Sequence, residues 1–261
     1  MLYNKLIYPS KELAHVIQHI RILEASPKEL ESGHLIPVGA SEMVFNLSET
    51  PVYIGETREK APVIEWIGQF TRAMHVQVDG PVQLLIVRFH PHTARIFSLH
   101  PMNVFTNTIT PLQDLMGAGV NSVFNKMQDY QSWEQRISLL YTFLKRSLYS
   151  SKEKIERSWL VQNFFDQQKA EGNKSTTKIR YSERYFQKLF KESVGISPRK
   201  YYKIQRFHKS ITLLEGREEN LARVAFTCGY SDQSHFNREF KEMAGCTPLQ
   251  YQHNRSSVNT I

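Results

Sequence analysis

Two stretches fifty residues apart carry side chains of the same hydrogen-bonding chemistry at helical spacing. Arg184, Gln187 and Lys188 occupy the first; Gln233, Ser234, Asn237 and Arg238 occupy the second. Arginine and lysine can donate to O6 and N7 of guanine, and glutamine and asparagine can pair bidentately with adenine. Each stretch adds one lysine, Lys191 and Lys241, suited to a phosphate. Solvated helix faces are commonly polar without binding anything, so the weight of the pattern lies in its pairing.

Other candidates for chemistry are sparser. Seven of the ten histidines fall in residues 1–150: His15, His19, His34, His75, His90, His92 and His100. His90-Pro91-His92 would put two imidazoles on one side of a strand, as in a metal-binding cupin. Pro91 disrupts a central strand and no glutamate follows at the short companion spacing, so packed or solvent-facing histidines are expected and no metal site is assigned. Arg88 and Trp66 are read as structural, with the lining of a ligand pocket as the alternative. Cys228 and Cys246 make neither a metal cluster nor a disulfide framework, and Cys228 is expected to pack rather than attack. There is no P-loop and no G-x-S-x-G, and Gly117 and Gly119 lack the third glycine of a dinucleotide loop. No catalytic residue and no cofactor is assigned.

The elements that must position the paired stretches are written in a repeat. Ser182–Tyr201 and Asp232–Tyr251 share seven identical residues of twenty: Phe186/Phe236, Phe190/Phe240, Lys191/Lys241, Glu192/Glu242, Gly195/Gly245, Pro198/Pro248 and Tyr201/Tyr251. Ser182 and Asp232 are good N-caps, the phenylalanines share one helical face, and the glycines can end each helix. Such a repeat implies two copies of one supersecondary unit. Ser175–Arg180 and Asn220–Thr227 are expected as the leading helices, Gly229 as a tight turn, and Ser197–Leu214 as a long helix between the units.

Upstream, residues 1–110 read as mostly β. His34–Val38, Met43–Leu47, Val52–Ile54, Val63–Ile67, Met74–Val78 and Val82–Phe89 are short β-branched or aromatic runs punctuated by glycine, which suggests a barrel or sandwich. Asp79-Gly80 predicts a hairpin between the last two. Lys11–Ile22 reads as helix or strand. From Pro111 the pattern turns helical. Asn121 is expected to cap a short helix ending near Tyr130, and Ser132 to open a packing or dimer helix carrying Trp133, Ile137, Leu140, Leu144 and Leu148. A helix near Lys154–Ala170, with Ile155, Trp159 and Phe164, starts the second half.

Charge separates the halves. Residues 1–150 hold 13 Lys and Arg against 13 Asp and Glu; residues 151–261 hold 20 against 12, which is the whole net charge of +8. A polyanion partner for the second half follows, or else a merely basic domain. No apolar run approaches the roughly 18 residues of a membrane span, and the N-terminus lacks the apolar core of a signal peptide, so a cytoplasmic protein without membrane contact is expected.

The run Ala225–Tyr251, AFTCGYSDQSHFNREFKEMAGCTPLQY, resembles the signature of AraC-type bacterial transcription regulators, and the resemblance covers about residues 151–255. It implies an all-α DNA-binding domain with two helix-turn-helix units joined by a long helix, each entering one of two adjacent major-groove segments. By it, Arg184, Gln187, Lys188, Gln233, Ser234, Asn237 and Arg238 become base-reading positions, and double-stranded DNA and RNA polymerase become partners. Residues 1–150 more loosely resemble the β-rich domain that precedes this module in some of the family, which implies a small-molecule effector, a homodimer contact, or both. The implied whole is a two-domain α+β chain with a barrel-like N-terminal domain and trailing helices over 1–150, the DNA-binding domain over 151–255, and a loose tail over 256–261. Where the family has a Leu-Ala core and a glycine turn, this chain has Ser175, Thr176 and Arg180, so its first unit is expected to be less stable or differently angled. Two readings compete with the regulator: a metal-binding cupin-like enzyme fused to a DNA-binding module, and a non-specific nucleic-acid-binding protein.

Overall fold

The structure is a computed structural model that describes residues 2–26, 32–149, 152–171, 182–215 and 220–253. Up to residue 111 its elements are strands: β1 Tyr3–Ile7, β2 Ile17–Ala25, β3 Ser32–Leu35, β4 Glu42–Asn46, β5 Val52–Ile54, β6 Glu59–Lys60, β7 Ile64–Ile67, β8 Met74–Val78, β9 Val82–Phe89 and β10 Ile109–Pro111, with single 3-10 turns at Ala94–Phe97 and Met102–Phe105. They form a six-stranded sheet, β1-β2-β9-β4-β7-β10, and a four-stranded sheet, β3-β8-β5-β6.

Side-chain alternation along β9 shows how the layers are built. Val82, Leu84 and Ile86 join Val44 and Ile67 of their own sheet and Leu35, Val76 and Val78 of the smaller one in a core between the sheets. Leu85, Val87 and Phe89 point the other way, onto Phe45, Trp66 and the helices α1 Leu112–Met116, α2 Gly119–Asp129 and α3 Trp133–Tyr149. Covered on both faces, β4 is buried at every residue. Trp66 is fully buried and stacks on Phe89 at 5.3 Å, a structural role. Arg88 is structural too, through its ion pair with Glu42 at 2.7 Å.

Three expectations change. Asp79-Gly80 does not close a hairpin, because β8 pairs with β3 and β5 whereas β9 pairs with β2 and β4. Both runs alternate correctly for strands, but their apolar faces meet across the inter-sheet core, so the turn carries the chain from one sheet to the other. Lys11–Ile22 divides into a turn and the start of β2. Asn121 lies inside α2 rather than at its N-cap. Ser132 does open α3, its hydroxyl accepting the Gln135 N–H at 3.3 Å. The buried side of α3, with Leu140, Leu144 and Leu148, packs into the first core, so α3 is a packing helix.

The second half is helical: α4 Lys152–Glu171, α5 Glu183–Val194, α6 Pro198–Glu215, α7 Leu221–Thr227, α8 Gln233–Ala244 and α9 Pro248–His253. Their shared core is aromatic, with Phe186, Phe190, Phe207, Phe236 and Phe240 inside it. The expected leading helix of the first unit, Ser175–Arg180, and the loose tail lie outside the described residues. None of the helices among the described residues is long and apolar enough to cross a membrane.

The halves meet along a seam with hydrogen bonds as well as packing. Thr106 Oγ1 donates to the Gly195 carbonyl at 2.6 Å, the Ala73 N–H to the Glu242 carbonyl at 3.2 Å, and His208 Nε2 to the Pro37 carbonyl at 2.7 Å.

Candidate nucleic-acid interface

The two repeated helices are started and stopped by the same devices. Ser182 Oγ accepts the Tyr185 N–H at 3.3 Å to begin α5, and Asp232 Oδ1 accepts the His235 N–H at 2.7 Å to begin α8. That backbone bond, then the Ser231 hydroxyl, holds the Asp232 carboxyl below its ordinary range, so the cap stays charged at the positive end of the helix dipole. Each helix ends on a glycine in the left-handed region, Gly195 at φ 99° and Gly245 at φ 78°. The 18-residue α6, roughly 27 Å long at 1.5 Å per residue, joins the units.

Amphipathicity settles which face each helix shows. Phe186, Leu189, Phe190 and Val194 turn α5 inward, and Phe236, Phe240, Met243 and Ala244 do the same for α8. Arg184, Gln187, Lys188 and Lys191 are thereby left exposed on α5, and Gln233, Ser234, Arg238 and Lys241 on α8. Asn237 is half-buried beside them. Ser234, Asn237, Arg238 and Lys241 come together along one shallow cleft with Glu242 and Thr247. On α5, Gln187 Nε2 lies on Glu183 at 3.0 Å and Lys188 lies 3.8 Å from Glu192. Asn237 Oδ1 is buried without a hydrogen-bond partner, the state of a polar atom awaiting one.

One group behind this face escaped the sequence reading. Glu239 sits on the buried side of α8, where the first copy has Leu189, and only 4% of it is exposed. Its carboxylate takes Arg206 at 2.6 Å and Lys203 at 2.8 Å, both from α6, and faces His235 Nε2 at 3.3 Å. Arg206 also lies 4.2 Å over the Tyr230 ring. A glutamate between two buried phenylalanine positions, opposite a leucine in the other copy, was the available signal.

Elsewhere the candidates divide. His90 and His92 stack at 6.0 Å, with His90 Nε2 on the Ala14 carbonyl at 3.0 Å. Among the described residues no group of three or more His, Cys, Asp or Glu could hold a metal ion. Cys228 is buried, and burial raises its thiol pKa, which suits packing rather than attack. Between the two sheets, a gap of about 30 Å³ has room for a water or two. The buried carboxyls of Glu42 and Glu65 face it from an otherwise apolar lining.

Comparison with known proteins bears on both halves. Residues 176–254 match a family model described as a helix-turn-helix domain, and residues 5–111 match a domain of unknown function, DUF6597. The probable transcriptional regulator LumQ of Photobacterium leiognathi is 33% identical over 119 residues, 43% of this chain and 48% of that protein. The HTH-type transcriptional activator RhaS of Escherichia fergusonii is 24% identical over 127 residues, 46% of this chain and 45% of its own. The chain thus spans about half the length of the curated relatives it matches. A crystal structure of ToxT from Vibrio cholerae O395 aligns over 92% of this chain and 98% of that one, at 12% identity and a TM-score of 0.43. The repeat, its caps and these regulator relatives agree: residues 176–254 carry a helix-turn-helix domain of the AraC type.

Proposed function

We propose that the protein is a sequence-specific DNA-binding transcriptional regulator in which α5 and α8 enter adjacent major-groove segments of one duplex. The observation that carries this reading is the convergence of Ser234, Asn237, Arg238 and Lys241 on one open cleft of the second unit. Amides and forked donors of this kind discriminate adenine and guanine edges, while Lys191 and Lys241 suit phosphate. Arg184, Gln187 and Lys188 give the first unit the same chemistry. The two helices are rigidly spaced by α6, so a duplex bends where its grooves do not match that spacing.

In this reading the N-terminal half controls the DNA-binding half. It responds to a small-molecule effector, pairs two copies of the chain, or does both, and RNA polymerase is the downstream partner in the cytoplasm. Support comes from the seam, because both C-terminal ends of the base-reading helices rest on the N-terminal half, α5 through Gly195 and α8 through Glu242.

Footprinting on genomic fragments tests it. The expected result is protection of two adjacent groove segments about one helical turn apart, with affinity falling steeply as salt rises. Uniform protection without preferred sites would favour non-specific binding, and a flat salt response would remove DNA as the partner.

A further inference from the structure

The seam holds a cleft of about 540 Å³ that the base-reading face does not use, a size ordinary for small-molecule sites. The N-terminal half supplies one wall, including His15, His90 and His92; α4 and α6 supply the other, including Ser158, Trp159 and Phe165.

Three observations point to an occupant. Ser158 is only 2% exposed and belongs to the cleft lining, and its buried hydroxyl has no hydrogen-bond partner, although a mid-helix serine commonly bonds back to the preceding turn. Trp159 is 62% exposed at the same cleft, on a helix whose Val161 and Phe164 are buried. Six of the lining side chains carry flat rings, with His92 against Phe165 at 5.8 Å and Phe165 against Tyr201 at 5.0 Å.

The lining also contains no Asp, Glu, Lys or Arg. A charged ligand would lose its water there without a fixed counter-charge, whereas an uncharged one loses little. Gln18, Gln162 and Gln205 add amide groups that both donate and accept. We propose that this cleft binds an uncharged, planar heteroaromatic molecule with a hydrogen-bonding edge. The rings stack on its faces, and Ser158 with the amides meets its edge. Because opposite walls belong to different halves, the ligand binds the docked arrangement and stabilises it. Ligand binding here is independent of the DNA-binding reading and is measured without DNA.

Nicotinamide, nicotinate and 1-methylnicotinamide share one ring and differ in charge. They are titrated into the intact chain at pH 8, with saturation-transfer NMR as the readout. Nicotinamide is expected to bind saturably, at least about fivefold more tightly than the anion or the cation. Trp159→Ala and Ser158→Ala should each weaken it about fivefold or more. Trp159 is exposed and Ser158→Ala removes one atom, so both variants should fold. The melting midpoint checks this, with Trp159→Leu and Ser158→Cys as replacements for a variant that melts early. No saturable nicotinamide binding, tighter binding of either ion, or binding unchanged in both variants overturns the proposal. Binding lost in Glu65→Gln but kept in Trp159→Ala also overturns it, since that places the ligand between the sheets.

Discussion

The Glu239 carboxylate on α8 receives the Arg206 guanidinium of α6 at 2.6 Å, behind the face that carries Asn237 and Arg238. Lys203, one turn earlier on α6, joins at 2.8 Å. The ion pairs fix the rotation of α8 about its axis relative to the connector. In the first copy the equivalent position is the buried Leu189, an apolar side chain that holds no such direction. The two repeated helices therefore share their caps and stops but not a way of being aimed.

Removing that carboxylate strands two cations that are only partly exposed. Glu239→Ala is expected to cost about 2 kcal/mol, below the range for a fully buried pair because Lys203 and Arg206 keep some water. Burial pushes the Glu239 pKa up, but hydrogen bonds and charge from Lys203 and Arg206 outweigh it and hold the carboxyl below its ordinary range. Its stabilising contribution is therefore complete above the ordinary value of 4.5 and is lost as pH falls below that toward the depressed value. Thermal melts from pH 7 to pH 3 should show a steeper acid loss in the wild type than in Glu239→Gln; parallel slopes would contradict the assignment.

The difference in aiming predicts an order of effects on DNA. Arg238 stands beside Ser234, Asn237 and Lys241, whereas Lys188 is 74% exposed and loosely paired with Glu192. Arg238→Ala should cost about 1–3 kcal/mol of specific operator binding. Lys188→Ala should cost less, in a manner more uniform across sequences. Gel-shift titrations of both variants on one operator decide it, and equal or reversed losses would sink the idea.

How much of this was legible in the sequence depends on the range of the interaction. The caps at Ser182 and Asp232, the stops at Gly195 and Gly245 and the exposed faces of α5 and α8 are set within a few residues, so spacing reveals them. Trp66 and Arg88 also read correctly as structural, because a lone tryptophan in an apolar run finds a core. Asn121 failed locally, as a cap, and the other failures were non-local. Asp79-Gly80 has ideal hairpin chemistry, yet the partners of β9 are β2 and β4, both distant in the chain. Glu239 is an ordinary helical glutamate until the third dimension brings Arg206 to it. Nothing local in the sequence sets His208 against Pro37, or Thr106 against Gly195.

Gly195 and Gly245 do two jobs, and a third glycine separates them. All three of Gly195, Gly245 and Gly229 have positive φ, so alanine at any of them costs about 1–2 kcal/mol of backbone strain. A Cβ on Gly229 meets nothing within 4 Å, whereas one on Gly195 lies 3.2 Å from the Met102 carbonyl and one on Gly245 lies 3.1 Å from the His34 ring. Gly195→Ala is expected to lose the most stability in urea unfolding, since it presses on backbone across the seam. Gly245→Ala is expected to fall between, as the His34 side chain can give way. A Gly229→Ala loss equal to that of Gly195→Ala would mean that only local strain is at stake.

Glu65 acts in the opposite pH direction from Glu239. It is 7% exposed, one of its oxygens has no hydrogen-bond partner, and burial, with the Glu42 charge second, pushes its pKa up to about 8. A carboxyl raised in this way is protonated in the folded chain while the unfolded chain ionises near 4.5, so folding stability falls as pH rises from about 4.5 to 8. Glutamine keeps the shape and cannot ionise, so Glu65→Gln should stabilise the protein at pH 7 by roughly 2 kcal/mol, less than the full linkage because its amide needs partners in the same apolar gap. The gain should vanish near pH 4, where both states of the wild type are protonated. Thermal or urea unfolding of the two proteins at pH 4, 6 and 8 checks this, and a gain that does not grow with pH would show that Glu65 finds a charge partner in solution.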